Sequence, residues 1–499
     1  MSAKPLYIHN CVSVPLADVP ACDRGSFCAL MQEELDSRAR VAAYFGCPFG
    51  SHVRLIAAIA HSRDGTIALF SCKADAEMPS LASSYPQLQL FEREIAEQYG
   101  ISFAGHPWFK PVRFCAPFAS GPDLFDRRIG DANFFAVDGE EVHEVAVGPV
   151  HAGVIEPGHF RFQCHGENVF HLEISLGYQH RGVEQLVTGA PRHAVRPIIE
   201  TAAGDTTAAH TTAYCQVMES LASCEVPPRA HALRAMAIEL ERCANHIGDI
   251  GALAGDVGFL PTASYCGRIR GDALNATALL CGSRFGRGMA CESGTAFDCD
   301  PGRLTDLART VSTIKADFAN AMDLLLNKSS VLARFENTGI LSEADCRTLG
   351  VVGLAARASG IIADVRQDFA HGMYRFSHIP VVTHEQGDVF ARAFVRYGEA
   401  MHSLDFVKEL CAGLPEGGIR AACGPLAPNS LAVSLVEGWR GEVFHAAVTG
   451  DDGRLARYKI VDPSFHNWNG LAFALRNQQI SDFPLCNKSF NLSYCGYDL

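Results

Sequence analysis

No two of the nineteen cysteines in this chain stand two or three residues apart, so the Cys-x-x-Cys unit of zinc ribbons and many iron-sulfur clusters is missing. A cluster, where one is needed, belongs to a partner. The cysteines are scattered singly through apolar stretches, Cys47, Cys115, Cys243 and Cys346 among them, a pattern of buried free thiols in a reducing compartment. Charge is also scarce. Asp, Glu, Lys and Arg make up 19% of the residues against 48% hydrophobic, which fits either one large core or broad subunit interfaces, where charge is depleted. The net charge is -13 and no basic stripe interrupts it; nucleic-acid phosphates demand clustered Lys and Arg, so no nucleic acid is expected as a partner. Nowhere do 18 apolar residues run without a charge, and the start, MSAKPLYIHNCVSVPLADVP, lacks an apolar signal-peptide core. The chain reads as cytoplasmic, docking on a membrane complex without spanning the bilayer.

A length of 499 residues exceeds one ordinary core and points to a small domain and a large one. Residues 1–120 form the small one, where the strand-like runs VRLIAAIA and TIALFSC precede a helical stretch, LQLFEREIAEQYGI, with apolar residues three and four apart. Residues 121–141, rich in Gly, Pro, Asp and Phe, read as a linker. The large domain, 142–499, opens on a β-like segment, HAGVIEPGHFRFQCHGENVFHLEISLG. Helical patterns then cover Asp205 to Phe259, Asp272 to Cys281, Leu304 to Leu332 and Val381 to Ala412. Near the end lies a second β-like piece, EVFHAAVTGDDGRLARYKIVDP, whose DDG suits a hairpin turn. The expected class is α+β: a small α/β domain, then a mainly helical bundle with β-hairpin flaps.

Six segments, in order, resemble one family. FEREIAEQYGISFAGHPWFKPVRF resembles the closing motif of the 30 kDa subunit of respiratory complex I. GPVHAGVIEPGHFRF with LGYQHRGVEQL resembles the opening of the 49 kDa subunit and of the large subunit of group 4 nickel-iron hydrogenases. IELERCANHIGDIGALAGDVGF, GSRFGRGM, GLAARASGIIADVRQDF and EGWRGEVFHAAVTGDDGRLARYKIVDPSFHNW complete the series. The small-then-large order is that of formate-hydrogenlyase-type fusions. The resemblance implies a subunit of a membrane-associated oxidoreductase that couples electron transfer to ion translocation. Its implied partners are an iron-sulfur small subunit holding a 4Fe-4S cluster, a ferredoxin-like iron-sulfur subunit, and antiporter-like and complex I-like membrane subunits. The implied location is the cytoplasmic face of the inner membrane.

Hydrogenases of this family hold nickel and iron through two Cys-x-x-Cys pairs, because soft thiolates suit these metals. The matching positions here are Ala203 and Thr206 in ETAAGDTTAAH, and Ser493 and Gly496 at the C-terminus. A methyl group, two alcohols and a bare glycine supply no thiolate, so no metal and no bound cofactor are expected; Cys495 is one residue from an expected ligand. In complex I the corresponding cleft takes a quinone between a His and a Tyr. His159 matches the first and Gly204 replaces the second, so a quinone acceptor would be bound in a modified way.

The resemblance makes Glu156, His159 and Arg440 candidate catalytic residues: Glu156 as a proton relay or a plain turn glutamate, Arg440 as a cap over the cleft or a structural ion pair. His180, Arg181 and Glu184, within one helical turn, are candidates for an interface or proton path, as are Asp205 and His210. Threonines beside Asp205 equally suit backbone capping. His466 reads as a core or cleft-edge histidine, and Cys164 and Cys215 as buried thiols. A cleft filled by Phe490 and Tyr494 would favour a scaffold; an open one would favour chemistry.

Overall fold

The computed structural model describes residues 4–118, 122–125, 128, 133–151 and 155–499. Parts of the 121–141 linker and residues 152–154 of the opening motif lie outside them.

In the small domain, Arg40–Phe49, His52–His61, Thr66–Lys73 and Leu6–His9 form an antiparallel sheet, with Ala21–Cys22 parallel to Thr66–Lys73. VRLIAAIA is apolar on both faces because both are covered: Leu55 through Ala60 are buried. On one side the Arg24–Asp36 helix packs Phe27 against Phe70 and Tyr44, ring centroids 5.2 and 5.8 Å away. The Gln89–Tyr99 helix has ten buried residues of eleven, including Glu92, Glu94 and Glu97. Such burial of charge requires partners. Glu94 finds Lys459 at 2.7 Å and Arg113, while Phe91 meets the Phe465 ring at 5.1 Å, so this helix is a joint between the domains.

The first residues, which the sequence left unassigned, also tie the two parts together. Ser13–Pro15 adds a fourth strand to the sheet Leu455–Val461, Glu442–Thr449, Ser430–Glu437. The DDG turn falls between the first two of these, with Gly453 at φ 74°.

Helices Thr207–Leu221, Pro228–Asp256, Leu260–Cys281, Pro301–Leu326 and Val389–Ala412 build the bundle. The continuous pattern read from Asp205 to Phe259 is two helices. Ser223 sits at φ 49° and Pro227 and Pro228 follow, which ends one helix and starts the next. The helix read from Asp272 begins at Leu260, again with proline in its first turn. That read from Val381 begins at Val389, where the Asp388 carboxylate accepts the Ala391 N–H at 2.8 Å. His159–His165 pairs with Asn168–Ser175 and Val142–Val147 in a three-stranded flap. Among the described residues no helix is long and apolar enough to cross a membrane.

Candidate functional site

The two segments that would supply four thiolates do meet. Ala203 and Thr206 lie in the turn before the Thr207–Leu221 helix, and Ser493 caps the one-turn helix Tyr494–Tyr497, its Oγ accepting the Gly496 N–H at 2.9 Å. Between them stands the Cys495 thiol, 3.4 Å from Ser493 Oγ and within reach of the Gly204 N–H and the Glu156 carboxylate. Burial pushes this thiol up to about 11, so it is protonated at neutral pH.

The space for the fourth ligand is taken. A Cβ on Gly496 would stand 2.6 Å from the carboxyl carbon of Asp462 and 2.9 Å from both its oxygens. That carboxylate is pinned by the Ser464 N–H at 2.8 Å and His210 Nε2 at 3.0 Å. Burial pushes its pKa up, but the His210 hydrogen bond and the Arg440 charge outweigh this and leave it below the usual range. Behind His210 the chain of contacts continues to His445 (Nδ1 to Nε2, 3.0 Å) and then to the Tyr458 hydroxyl at 2.8 Å from His445 Nδ1. All four side chains are fully buried.

Arg440 enters from the turn between Ser430–Glu437 and Glu442–Thr449. Its guanidinium lies over the Trp439 ring at 3.8 Å, donates twice to Asp205 at 2.7 Å, and reaches Thr206 Oγ1 at 3.2 Å and the Asn491 carbonyl at 2.5 Å. Its carboxylate partner is therefore Asp205, which Arg440 holds below the usual range against the upward push of burial. Glu156 sits on the other side and accepts the Tyr494 N–H at 3.3 Å. His159 does not join them. Strand side chains alternate, and while Phe160 packs towards Phe483 and Tyr494, the His159 ring lies against Phe134 at 5.2 Å with Nδ1 3.4 Å from the Gly148 carbonyl.

His180, Arg181 and Glu184 diverge rather than cluster, because the helix starts only at Val183. His180 Nδ1 approaches the Asp498 carbonyl at 3.2 Å. Arg181 donates to the carbonyls of Thr201 and Ala202 at 2.7 and 3.1 Å, fixing the turn that carries Ala203. Glu184 is buried between Arg457 at 2.7 Å and Lys459 at 3.0 Å; burial raises its pKa, but Arg457 and then Lys459 bring it down to about 2. His466 is buried against Phe91, and burial drives it down to about 3.

Sequence reading missed Asp462, His445, Tyr458 and Glu241. Asp462 stands in the pattern Asp-Pro-Ser and is the N-cap of Pro463–Ala474, so its local signal was a cap. Glu241 accepts the N–H groups of Ala208 and Ala209 at 2.6 and 3.3 Å, and burial pushes it up to about 8. With Gly204, Asp205 and Asn245 it borders a cavity of about 10 Å³, the room of one water. Tyr494 packs on Trp468 at 5.0 Å, and Phe490 under Arg392 at 4.2 Å. A much larger cavity, about 1160 Å³, lies elsewhere, between the small domain and residues 346–368, with Arg40, Asp368, Glu437 and Glu442 on its walls.

A nickel-iron centre does not fit this donor set. Soft metals need thiolates, and among the described residues no three His, Cys, Asp or Glu side chains converge as metal ligands would.

Comparison with known proteins agrees with the six motifs. Residues 36–119 match the family of the respiratory-chain NADH dehydrogenase 30 kDa subunit, and residues 256–427 that of the 49 kDa subunit. The carbon monoxide-induced hydrogenase of Rhodospirillum rubrum is 30% identical across 70% of this chain and 97% of its own length. Formate hydrogenlyase subunit 5 of Escherichia coli is 28% identical across 84% of this chain and 76% of its own. The fused C/D subunit of the NADH-quinone oxidoreductase of Bacteroides fragilis is 26% identical across 73% and 74%. The chain belongs to the family of complex I 49 kDa subunits and their hydrogenase large-subunit relatives, with a 30 kDa-type domain ahead of it.

Proposed function

We propose that this chain is the coupling-type large subunit of a membrane-associated oxidoreductase complex related to complex I and energy-converting hydrogenases, and that its own cleft performs no nickel-iron chemistry. The Asp462 carboxylate in the path of any side chain at position 496 carries this reading. A pinned carboxylate at the fourth ligand position and an Asp205–Arg440 pair across the site, with no thiolate at any of the four positions, do not suit a bimetallic core. The electron carriers then belong to partners: a 4Fe-4S cluster in an iron-sulfur small subunit and the centres of a ferredoxin-like subunit. Antiporter-like and complex I-like membrane subunits hold the chain at the cytoplasmic face. Its role is to pass a redox or conformational event from the iron-sulfur side to the membrane arm. A quinone within this cleft has less support, since Gly204 stands where the second quinone ligand would be and the adjoining cavity, about 10 Å³, is only the size of one water.

The test is to purify the tagged chain from native membranes, identify its companions by mass spectrometry and measure metals. The expected sample contains iron-sulfur and membrane subunits and no nickel. One nickel per chain, bound through this chain's thiols, overturns the reading; so does a chain that elutes alone. In the same complex His159→Ala leaves quinone turnover unchanged, and its loss would restore the quinone reading.

A further inference from the structure

Two thiols far from the cleft stand together at the surface. Cys224 follows the left-handed Ser223 in the turn between Thr207–Leu221 and Pro228–Asp256, and Cys423 lies in the irregular segment 413–429 that leads into Ser430–Glu437. The two backbones run alongside each other: Cys224 Sγ is 3.5 Å from the Ala422 carbonyl, and a Cβ on Gly424 would stand 3.8 Å from the Ala222 carbonyl. The Cys224 thiol thus meets the carbonyl of the residue just before Cys423, and both cysteines are partly exposed. A third group completes the arrangement. Arg192 Nη2 donates to Cys423 Sγ at 3.1 Å and Nη1 to the Gly424 carbonyl at 3.2 Å, while Glu292 fixes its Nε at 2.5 Å.

We propose that Cys224 and Cys423 form a peroxide-sensitive dithiol, with Cys423 the sulfur oxidised first and Cys224 the resolving thiol. Arg192 donates to the Cys423 sulfur, the electropositive and partly exposed setting in which reactive cysteines are found. Cys423 attacks hydrogen peroxide: an S–O bond forms, the O–O bond breaks, and hydroxide leaves to become water. The Cys423 sulfenic acid then meets Cys224, which gives up its proton as its sulfur attacks; the S–S bond forms, the S–O bond breaks and a second water leaves. Two thiols and one peroxide yield one disulfide and two waters, and a small dithiol reverses the reaction.

Position explains why Cys423 leads. Burial and the neighbouring Cys423 push the Cys224 thiol up to about 11, which suits a sulfur that waits as a thiol until an electrophile forms beside it. Proximity without access is a different case. Cys22 and Cys72 are also cross-strand neighbours, but Cys72 is fully buried and beyond the reach of a polar oxidant. In a reducing compartment disulfides that form this way are transient. This one would clamp segment 413–429, and with it the start of the strand that leads to Arg440, onto the turn after the Thr207–Leu221 helix.

The full-length chain is treated with stoichiometric hydrogen peroxide, quenched by alkylation and mapped without reduction. The expected product is a Cys224–Cys423 linked peptide, two hydrogens lighter than its parts and released by dithiothreitol. In Cys224→Ser, Cys423 stops at the sulfenic acid and is trapped by dimedone. In Cys423→Ser, Cys224 stays reduced, and Arg192→Gln slows linkage several-fold. The proposal fails if no linked peptide appears, if Cys423→Ser lets Cys224 oxidise at the wild-type rate, or if Arg192→Gln links as fast as wild type.

Discussion

Behind the turn that carries Arg440 the protein is saturated with ion pairs; in front of it, at the four ligand positions, the described residues hold almost none. At the back, Arg357 bridges Glu399 at 2.7 Å and Glu437 at 2.8 Å, Arg366 bridges Asp364 and Glu239, and Arg242 pairs with Glu239 at 3.0 Å. Arg242 also donates to the carbonyls of Glu437 and Gly438 at 2.6 and 2.9 Å, so this network grips the turn itself. At the front, Asp205–Arg440 crosses the site and His210 meets the Asp462 carboxylate at 3.0 Å, while Ala203 and Gly496 present no polar side-chain atom. The turn is therefore positioned from behind, and its geometry needs no metal.

The most severe way to break this contrast is Arg357→Ala. It strands the buried Glu399 and Glu437 without their shared cation, and breaking a buried pair costs about 3–5 kcal/mol. Urea unfolding should show that loss or no soluble chain at all. A stability within 1 kcal/mol of wild type, roughly the scale of an exposed ion pair, would mean the network is not what holds the turn.

Next comes Gly496→Ala, whose methyl lands on the pinned Asp462 carboxylate. Overpacking of this kind costs about 1–3 kcal/mol. In an Asp462→Gly background the same substitution should cost much less, and a double-mutant cycle reads the difference as coupling. Additive effects would show that Asp462 does not occupy the ligand's place. By the same logic, introducing cysteine at all four ligand positions yields no bound nickel while Asp462 remains.

A smaller effect is expected from Arg440→Lys, which keeps the charge but cannot make both hydrogen bonds to Asp205 or lie flat on Trp439. A loss of roughly 1–2 kcal/mol follows from one missing charged hydrogen bond. Thermal unfolding indistinguishable from wild type would reduce the pair to a surface-like contact.

How much of this was legible in the sequence depended on whether the signal was local. The DDG hairpin, the apolar strands of the small domain and the missing thiolates could be read directly, because turn chemistry, burial on both faces and donor atoms belong to a few adjacent residues. The helix starts at Leu260 and Val389 were misplaced where proline and a capping Asp override apolar spacing. The site partners were not legible for a geometric reason. Asp462 and His210 are 252 positions apart, and Arg440 is 235 from Asp205, so only the folded sheet and helix bring them together. His180, Arg181 and Glu184 show the converse: neighbours in sequence, each serves a different segment once the helix begins at Val183.

The mildest test concerns pH and Glu241. Its folded pKa is pushed up to about 8 by burial, although the first N–H groups of the Thr207–Leu221 helix pull it the other way. An unfolded glutamate titrates near 4.3. Between these values the folded chain holds a proton that the unfolded chain has released, so stability falls as pH rises. The contribution is whole below about pH 4 and gone once pH passes about 8. Glu241→Gln keeps an oxygen for the Ala208 N–H and removes the titration, so its stability profile from pH 5 to 8 should be flatter than that of wild type. Chemical denaturation at four pH values across that range measures the two slopes; parallel profiles would place the Glu241 proton in solvent rather than beside the water-sized cavity at Asp205.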